Sequence, residues 1–526
     1  VVSVRRKGGR PLAVLANYSM HYFGTQPVSA DYYGRFCDRL ASRVAGNTPG
    51  ERPVVIMSQG TSGDLMWMDY GRPKNDPGID RYADEVAEVA LRAYKTIQYH
   101  EKTPLAMAET TLTLGRRLPD AKRLAWAREM NAKRGDREPK SIPEVYAKEA
   151  VLIDAEPKRE LKLQAIRIGD LGITAIPNEV YAITGLKLKA QSPIQTTMNI
   201  ELANGGDGYI PPPEQHALGG YTTWPARTAG LEVQAEPTIV ETVLSLLEKI
   251  SGKSRKAVEA PRTRYADVVL ASKPVAFWRL DDMAGSTPHD STGHAKPAKL
   301  DPGFALYLPG AEGPGLTGTS GRIGRAVHLA GGRLKAEIDG QGGASSIEFW
   351  FWNGLPVDAR PVTGVPLSVG ESANADVIAI SGKGSAFGEG RLTYANGTST
   401  PVAAGKSEIP LKTWNQIVFV RESGRVSIHL NGNPRPEITA ESKTGRSGNS
   451  PIPMIVGDGG DLKASFEGKI DEVAVYDRAL SPDEIASHAA LAEAVKPWKL
   501  SGEYRPYKPV GCVECRMTGF RGRMGL

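Results

Sequence analysis

The chain has 526 residues, of which 40% are hydrophobic and 24% charged, with a net charge of +6 and three cysteines. This composition is ordinary for a globular protein. It offers no run of 18 apolar residues for a membrane span, no concentrated basic stripe for nucleic acid, and too few cysteines for a disulfide framework. The length predicts about two or three domains, because single cores stop growing at roughly 250–300 residues.

The opening "VVSVRRKGGRPLAVLANYS" reads as a hairpin already inside a domain, so the expectation is that a segment has been removed before Val1 or that the chain is a fragment. "PLAVLANYSM" is an apolar run bounded by the turn signal "KGGR", which predicts a buried strand with His21 at its end. Strand ends are where α/β proteins present functional groups. "YYGRFCDRLASRV" has helical spacing, so Cys37 reads as a buried thiol. "RPVVIMSQG" reads as a strand leaving into the loop "TSGDLMWM" (Thr61 to Met68), and the next helix groups Val86, Ala90 and Tyr94 on one face.

Residues 115–148 read as a charged, exposed insertion. "LKLQAIRIGDLGITAIPNEVYAITGLKLKA" predicts a hairpin turning at Gly169 and Asp170, then a strand, then a helix capped by Asn178 with Glu179 in its first turn. A carboxylate there is favoured in the ionised form that a metal ligand requires. In "GDGYIPPPEQHALGGY", prolines stiffen a segment flanked by Tyr209 and Tyr221. "PTIVETVLSLLEKI" is a final amphipathic helix.

The polar stretch "SGKSRKAVEAPRTR" reads as a linker. Glycine, 58 residues in the whole chain, is crowded beyond it, and runs such as "SSIEFWFW", "NQIVFV" and "RVSIHL" alternate or cluster like strands. The predicted organisation is an α/β domain over residues 1–250, a linker at 251–264, an all-β sandwich over 265–492 and an irregular basic tail at 493–526. The tail carries "CVEC" (Cys512, Cys515), half of a zinc knuckle without its second pair.

In the sandwich, "PVAFWRLDD", "DSTG", "GRIGRAVHLAGG", "IEFWFW", "KTWNQIVFV", "VSIHLNGNP" and "FEGKIDEVAVYDRALSPDEIASH" follow one another in an order that resembles the LamG or concanavalin-like jelly-roll modules of extracellular bacterial proteins. Trp278, Trp350 and Trp414 are candidate core residues, and "NGN" at Asn431 a hairpin turn. Asp471 and Glu472 read as a solvated strand edge or as ligands for calcium. The resemblance implies a carbohydrate or protein ligand and an extracellular or periplasmic location.

In the first domain, "NYSMHYF", "PNEVYAITGLKL" and "YIPPPEQHALGGY", in that order, resemble three motifs of the neutral or alkaline non-lysosomal ceramidases: "N-F-x-x-H-P", "P-G-E-F-T-T-M-x-G-R-x-L" and "Y-I-T-T-x-E-E-Y-x-x-x-x-Y". The resemblance implies an α/β hydrolase-like domain in which His21, Glu179 and Tyr209 ligate zinc and Tyr221 stabilises the oxyanion of amide hydrolysis. Two departures stand out. The family's "H-T-H" ligand motif is absent, and Met66 stands where "N-x-G-D-V-S-P-N" has its serine nucleophile. A thioether cannot attack a carbonyl, so the expectation is a zinc-dependent amidohydrolase that uses metal-activated water, with Asp64 as proton acceptor and an amide- or ester-containing substrate, lipids included. Ser58, Thr61 and Ser62 are nearby hydroxyls. The alternative is a catalytically inactive surface protein whose LamG domain binds carbohydrate or protein.

Overall fold

The computed structural model describes residues 1–490 apart from 26–27, 47–51, 69–72, 259, 314, 319–323, 339–342, 372–373, 398–399, 443–450 and 460–463, so Cys512 and Cys515 lie outside the described residues. The chain divides into two compact units, Val1–Val258 and a second beginning at Glu259.

The first unit mixes helices and strands. Strands β1 (Val2–Arg5) and β2 (Pro11–Tyr18) form an antiparallel hairpin; α1 (Asp31–Ala45) then crosses over to β3 (Val54–Gln59), which runs parallel to β2 with Asn17 opposite Ser58. Val14 and Ala16 of β2 face Phe36 and Leu40 of α1 and Ala87 and Ala90 of α2 (Ile79–Lys95). Tyr32, Phe36 and Leu40 recur every fourth residue, so one face of α1 carries all three large buried groups. Fully burying Phe36 and Leu40 contributes about 1.5–3 kcal/mol each.

β4 (Leu105–Gly115) and β5 (Lys158–Ile168) pair antiparallel along their whole length. Between them lies the charged insertion, which folds as a helical hairpin of α3 (Ala121–Arg134) and α4 (Ile142–Ala155) closed by Ala127, Ala147 and Ala150. Asp120 caps α3 by accepting from the Arg123 amide at 2.7 Å. The predicted turn at Gly169, with φ +60°, returns the chain into β6 (Leu171–Ala175). Next come β7 (Glu179–Val180), α5 (Ala182–Gln191), β8 (Thr196–Ile200), β9 (Tyr209–Ile210), α6 (Pro213–His216) and α7 (Ala235–Ser251). β8 runs parallel to β6 and β9 parallel to β7. Leu161, Leu163 and Ala165 of β5 share one core with Ile239, Val243 and Leu247 of α7.

Glu179 is in a strand rather than in the first turn of a helix. Asn178 is not a cap: its side-chain amide donates to the carbonyls of Asp207 and Gly208, both at 3.2 Å. The helix starts at Ala182, whose amide donates to Asp64 Oδ1 at 2.7 Å. A residue 118 positions away in sequence supplies the cap.

In the second unit every strand pairing is antiparallel. One sheet has eight strands, with Glu467–Tyr476 and Ala344–Asn353 at its centre, and the other has seven, with Ile452–Val456 and Val362–Val369 in the middle. Their inner faces enclose Trp278, Phe349, Phe351, Phe419 and Phe466. Alternation sends Trp350, between Phe349 and Phe351, to the opposite face. There it packs with Tyr265 and Ile485 of the helices Arg264–Ala271 and Pro482–Ala490, and Trp414 lies partly buried beside the same cluster. Of the three tryptophans, only Trp278 therefore belongs to the core between the sheets.

Asp471 and Glu472 sit within the strand Glu467–Tyr476 and are buried, not solvated at an edge. Asp471 accepts from the Ala311 amide at 2.9 Å, and Glu472 pairs with Arg279 at 3.1 Å. Among the described residues no helix is long and apolar enough to cross a membrane.

Candidate functional site

The first unit brings four distant side chains together. His21, three residues past the end of β2, points Nε2 at Glu179 Oε2 (3.3 Å) and at the Tyr209 hydroxyl (3.2 Å), and that hydroxyl lies 2.9 Å from the hydroxyl of Tyr221. The His21 and Tyr209 rings are parallel with centroids 6.3 Å apart, and Tyr221 meets Tyr209 edge-on. Glu179 and Tyr209 are aligned residues of the parallel pair β7–β9, which places their side chains at the same level.

Backbone close approach makes this assembly possible. Gly63 donates to the Val180 carbonyl at 2.8 Å, and a Cβ on Gly63 would lie 2.9 Å from the Glu179 carbonyl oxygen. Gly208, at φ +75°, passes so close to Thr228 that a Cβ would overlap its carbonyl. Arg117 donates to the carbonyls of Thr223, Ala229 and Leu231, which holds the segment that follows Tyr221. On the other flank, the Asp31 carboxylate gathers the amides of Phe23, Gly24 and Thr25, fixing the chain just beyond His21. Burial works against the Asp31 carboxylate, but the amides of Tyr32, Thr25 and Phe23 and the Thr25 hydroxyl outweigh it and hold its pKa below the ordinary aspartate value.

The Ser62 carbonyl lies 2.7 Å from His21 Nδ1. A carbonyl only accepts, so Nδ1 carries the proton and the neutral ring turns its Nε2 lone pair towards Glu179. Two acceptors thus face each other at 3.3 Å. A proton on Nε2 or a cation between them satisfies both, and the Tyr209 hydroxyl at 3.2 Å can also donate to Nε2. Burial disfavours the imidazolium, yet Glu179 and the Ser62 carbonyl outweigh it and raise the His21 pKa. Burial also pushes the Tyr209 phenol far above its ordinary value, with Tyr221 and Glu179 adding to the shift.

An imidazole and a carboxylate are ordinary zinc donors, and a phenol is not among them. Tetrahedral bonds of about 2.0–2.1 Å place neighbouring ligand atoms about 3.3–3.4 Å apart, close to the 3.2 and 3.3 Å separations around His21 Nε2. Among the described residues no group of three or more His, Cys, Asp or Glu could hold a metal ion, and the other oxygen donor beside His21 Nε2 is the Tyr209 phenol. The Ser62 carbonyl on Nδ1 is the outer contact that metal-binding imidazoles ordinarily have.

The hydroxyls near Met66 are engaged elsewhere. Ser58 Oγ takes up Asn17 Nδ2 and the Ala16 carbonyl, Thr61 lies buried against Gly185, and the fully buried Ser62 Oγ donates to Glu201. Glu201, one residue past β8, is 2% exposed and was not anticipated. Burial pushes its pKa up to about 7 against the donors of Ser62 and Val180. A lone carboxylate in "MNIELANGG" leaves no sequence signal beyond a charge among apolar neighbours.

A family model matches part of the second unit. No curated protein matches the chain. Among solved structures, domain 4 of an extracellular arabinanase from Geobacillus stearothermophilus, in complex with arabinotriose, aligns at 21% identity over 41% of this chain and 98% of that one, with a TM-score of 0.31. Trypanosoma rangeli sialidase aligns at 13% identity over 42% of this chain and 32% of its own, with a TM-score of 0.30. A heptameric pentraxin from Limulus polyphemus aligns at 16% identity over 36% and 81%, with a TM-score of 0.24. The Laminin_G_3 family of the concanavalin A-like lectin/glucanases superfamily matches residues 337–486, and the antiparallel sandwich there is a jelly roll of that kind.

Proposed function

We propose that the first unit is a zinc-dependent hydrolase of the neutral ceramidase type, acting on an amide or ester bond. The observation that carries this reading is the meeting of an imidazole, a carboxylate and a phenol, His21 and Tyr209 being 188 residues apart, at separations suited to one tetrahedral ion. Zinc held there supplies Lewis acidity and lowers the pKa of a water molecule. His21, Glu179 and Tyr209 would hold the metal. Tyr221, its side chain 58% exposed, offers a hydroxyl to a developing oxyanion. Asp64 is the proposed proton acceptor; the Ala182 amide fixes where its carboxylate sits. The occupied hydroxyls of Ser58 and Ser62 support water rather than serine as the nucleophile. Exposed Tyr22, beside His21, and Tyr221 supply apolar surface for the substrate, which suits a lipid.

A second reading, a surface protein without catalysis whose sandwich binds carbohydrate or protein, is favoured by the Laminin_G_3 match. Modules of that kind are typically extracellular, which supports an extracellular or periplasmic location in either reading. Zinc content and hydrolysis of N-acyl amide and ester probes by the full chain test the choice. The hydrolase reading expects bound zinc and turnover, both lost in His21→Ala and Glu179→Ala. Unchanged zinc in both variants refutes the site, and glycan binding without zinc or turnover favours the second reading.

A further inference from the structure

Glu201 joins the pieces of the first unit that carry the site. Its Oε1 accepts from Gln59 Nε2 (2.9 Å) and from Ser62 Oγ, while its Oε2 accepts from the amides of Ser62 (3.0 Å) and Val180 (2.7 Å). Its own amide donates to the Gln59 carbonyl at 3.1 Å. One carboxylate therefore ties together the end of β3, the loop that follows it, and β7. Two of these ties lead directly to a proposed ligand side chain. Ser62, held through both its amide and its hydroxyl, presents the carbonyl that orients His21 Nδ1 at 2.7 Å. Val180, held through its amide, adjoins Glu179 in the same strand.

A buried carboxylate is costly unless its lone pairs are filled, and here four donors fill them. The three bonds from Ser62 and Val180, together with that from the Gly63 amide to the Val180 carbonyl, hold the loop against β7 and so bear on the gap between His21 Nε2 and Glu179 Oε2. We infer that Glu201 is the positioning residue of this site, setting the His21 tautomer and the His21–Glu179 spacing from behind without touching the metal or substrate. The inference rests on the zinc-site reading for its consequence, though not for its geometry.

The test uses the full chain with Glu201→Ala, Glu201→Asp and Glu201→Gln. In metal-free protein, ring ¹⁵N shifts of His21, assigned with His21→Gln, report the Nδ1–H tautomer; in loaded protein, zinc competition and the cobalt(II) visible spectrum report the site. Glu201→Ala is expected to lose the fixed tautomer and about 10–100-fold in zinc affinity, as loss of outer-shell contacts does. Glu201→Asp, which keeps the charge but withdraws the carboxylate by one methylene, is expected to shift the same way and covers a Glu201→Ala chain that does not fold. Glu201→Gln is expected to stay near wild type, because its amide oxygen meets the two backbone donors while Ser62 Oγ and the Gln59 amide turn to accept from its NH₂. Unaltered His21 shifts and zinc affinity in Glu201→Ala and Glu201→Asp overturn the inference, as does rescue by Asp with loss in Gln, which would make charge the cause. Wild-type protein that takes up no zinc defeats the zinc reading alone, since the His21 shifts still judge the positioning role.

Discussion

Each unit clusters a histidine and a tyrosine around a glutamate, and the two clusters differ in how open they are to solvent. In the second unit Glu348 is a hub: it accepts from the Tyr476 hydroxyl, from Gln416 Nε2 at 3.2 Å and from His488 Nδ1 at 3.0 Å, while His488 Nε2 meets Ser272 Oγ at 2.8 Å. Both His488 nitrogens are taken by protein, and the His488 and Glu348 side chains are wholly buried. In the first unit His21 Nδ1 meets the Ser62 carbonyl, Nε2 meets both the Tyr209 hydroxyl and the Glu179 carboxylate, and the Glu179 side chain is 24% exposed. The same three residue types build a closed structural network in one place and an open site in the other. Exposure of the carboxylate separates them, 24% at Glu179 and none at Glu348.

That contrast is most exposed to a substitution at the hub. Glu348→Ala strands three buried donors and is expected to cost about 3–5 kcal/mol of second-unit stability, read from denaturant unfolding. A loss below about 1 kcal/mol would erase the distinction. Next comes pH. Burial works against the His488 imidazolium, but Glu348, with Glu484 adding and Arg478 opposing, raises its pKa above the ordinary 6.5. A raised histidine pKa gives stability that is complete below the unfolded value and lost as pH rises through the folded one. The second unit is therefore expected to weaken as pH climbs past the ordinary histidine value of about 6.5, with the slope flattened in His488→Gln. The smallest effect is expected at the open site: Glu179→Gln should change the unfolding free energy of metal-free protein by no more than about 0.5–1 kcal/mol, because its carboxylate is partly hydrated. A loss as large as that of Glu348→Ala would mark Glu179 as another structural hub.

Patterns with a short period or a fixed chain order were legible. The buried alternation of β2, the turn at Gly169 and the strand-rich second half follow directly from residue spacing. The order of the motifs around His21, Glu179 and Tyr209 singled out side chains that do meet. What escaped was tertiary. Asn178 followed by Glu179 looks like a helix start, yet the cap of α5 is Asp64 and Glu179 pairs in a strand with Tyr209. Asp471 and Glu472 look like an exposed edge, yet the Ala311 amide and the Arg279 guanidinium allow them to be buried. Glu201 gave no hint, because its partners at Gln59, Ser62 and Val180 are assembled only by folding.

Zinc K-edge X-ray absorption on the full chain loaded with zinc addresses the central claim most directly. The account predicts a first shell of nitrogen and oxygen only, at about 2.0–2.1 Å, with a single imidazole contribution that disappears in His21→Ala. Sulfur scatterers at about 2.3 Å, which would put the metal on Cys512 and Cys515, or an imidazole signal that survives the loss of His21, would contradict it.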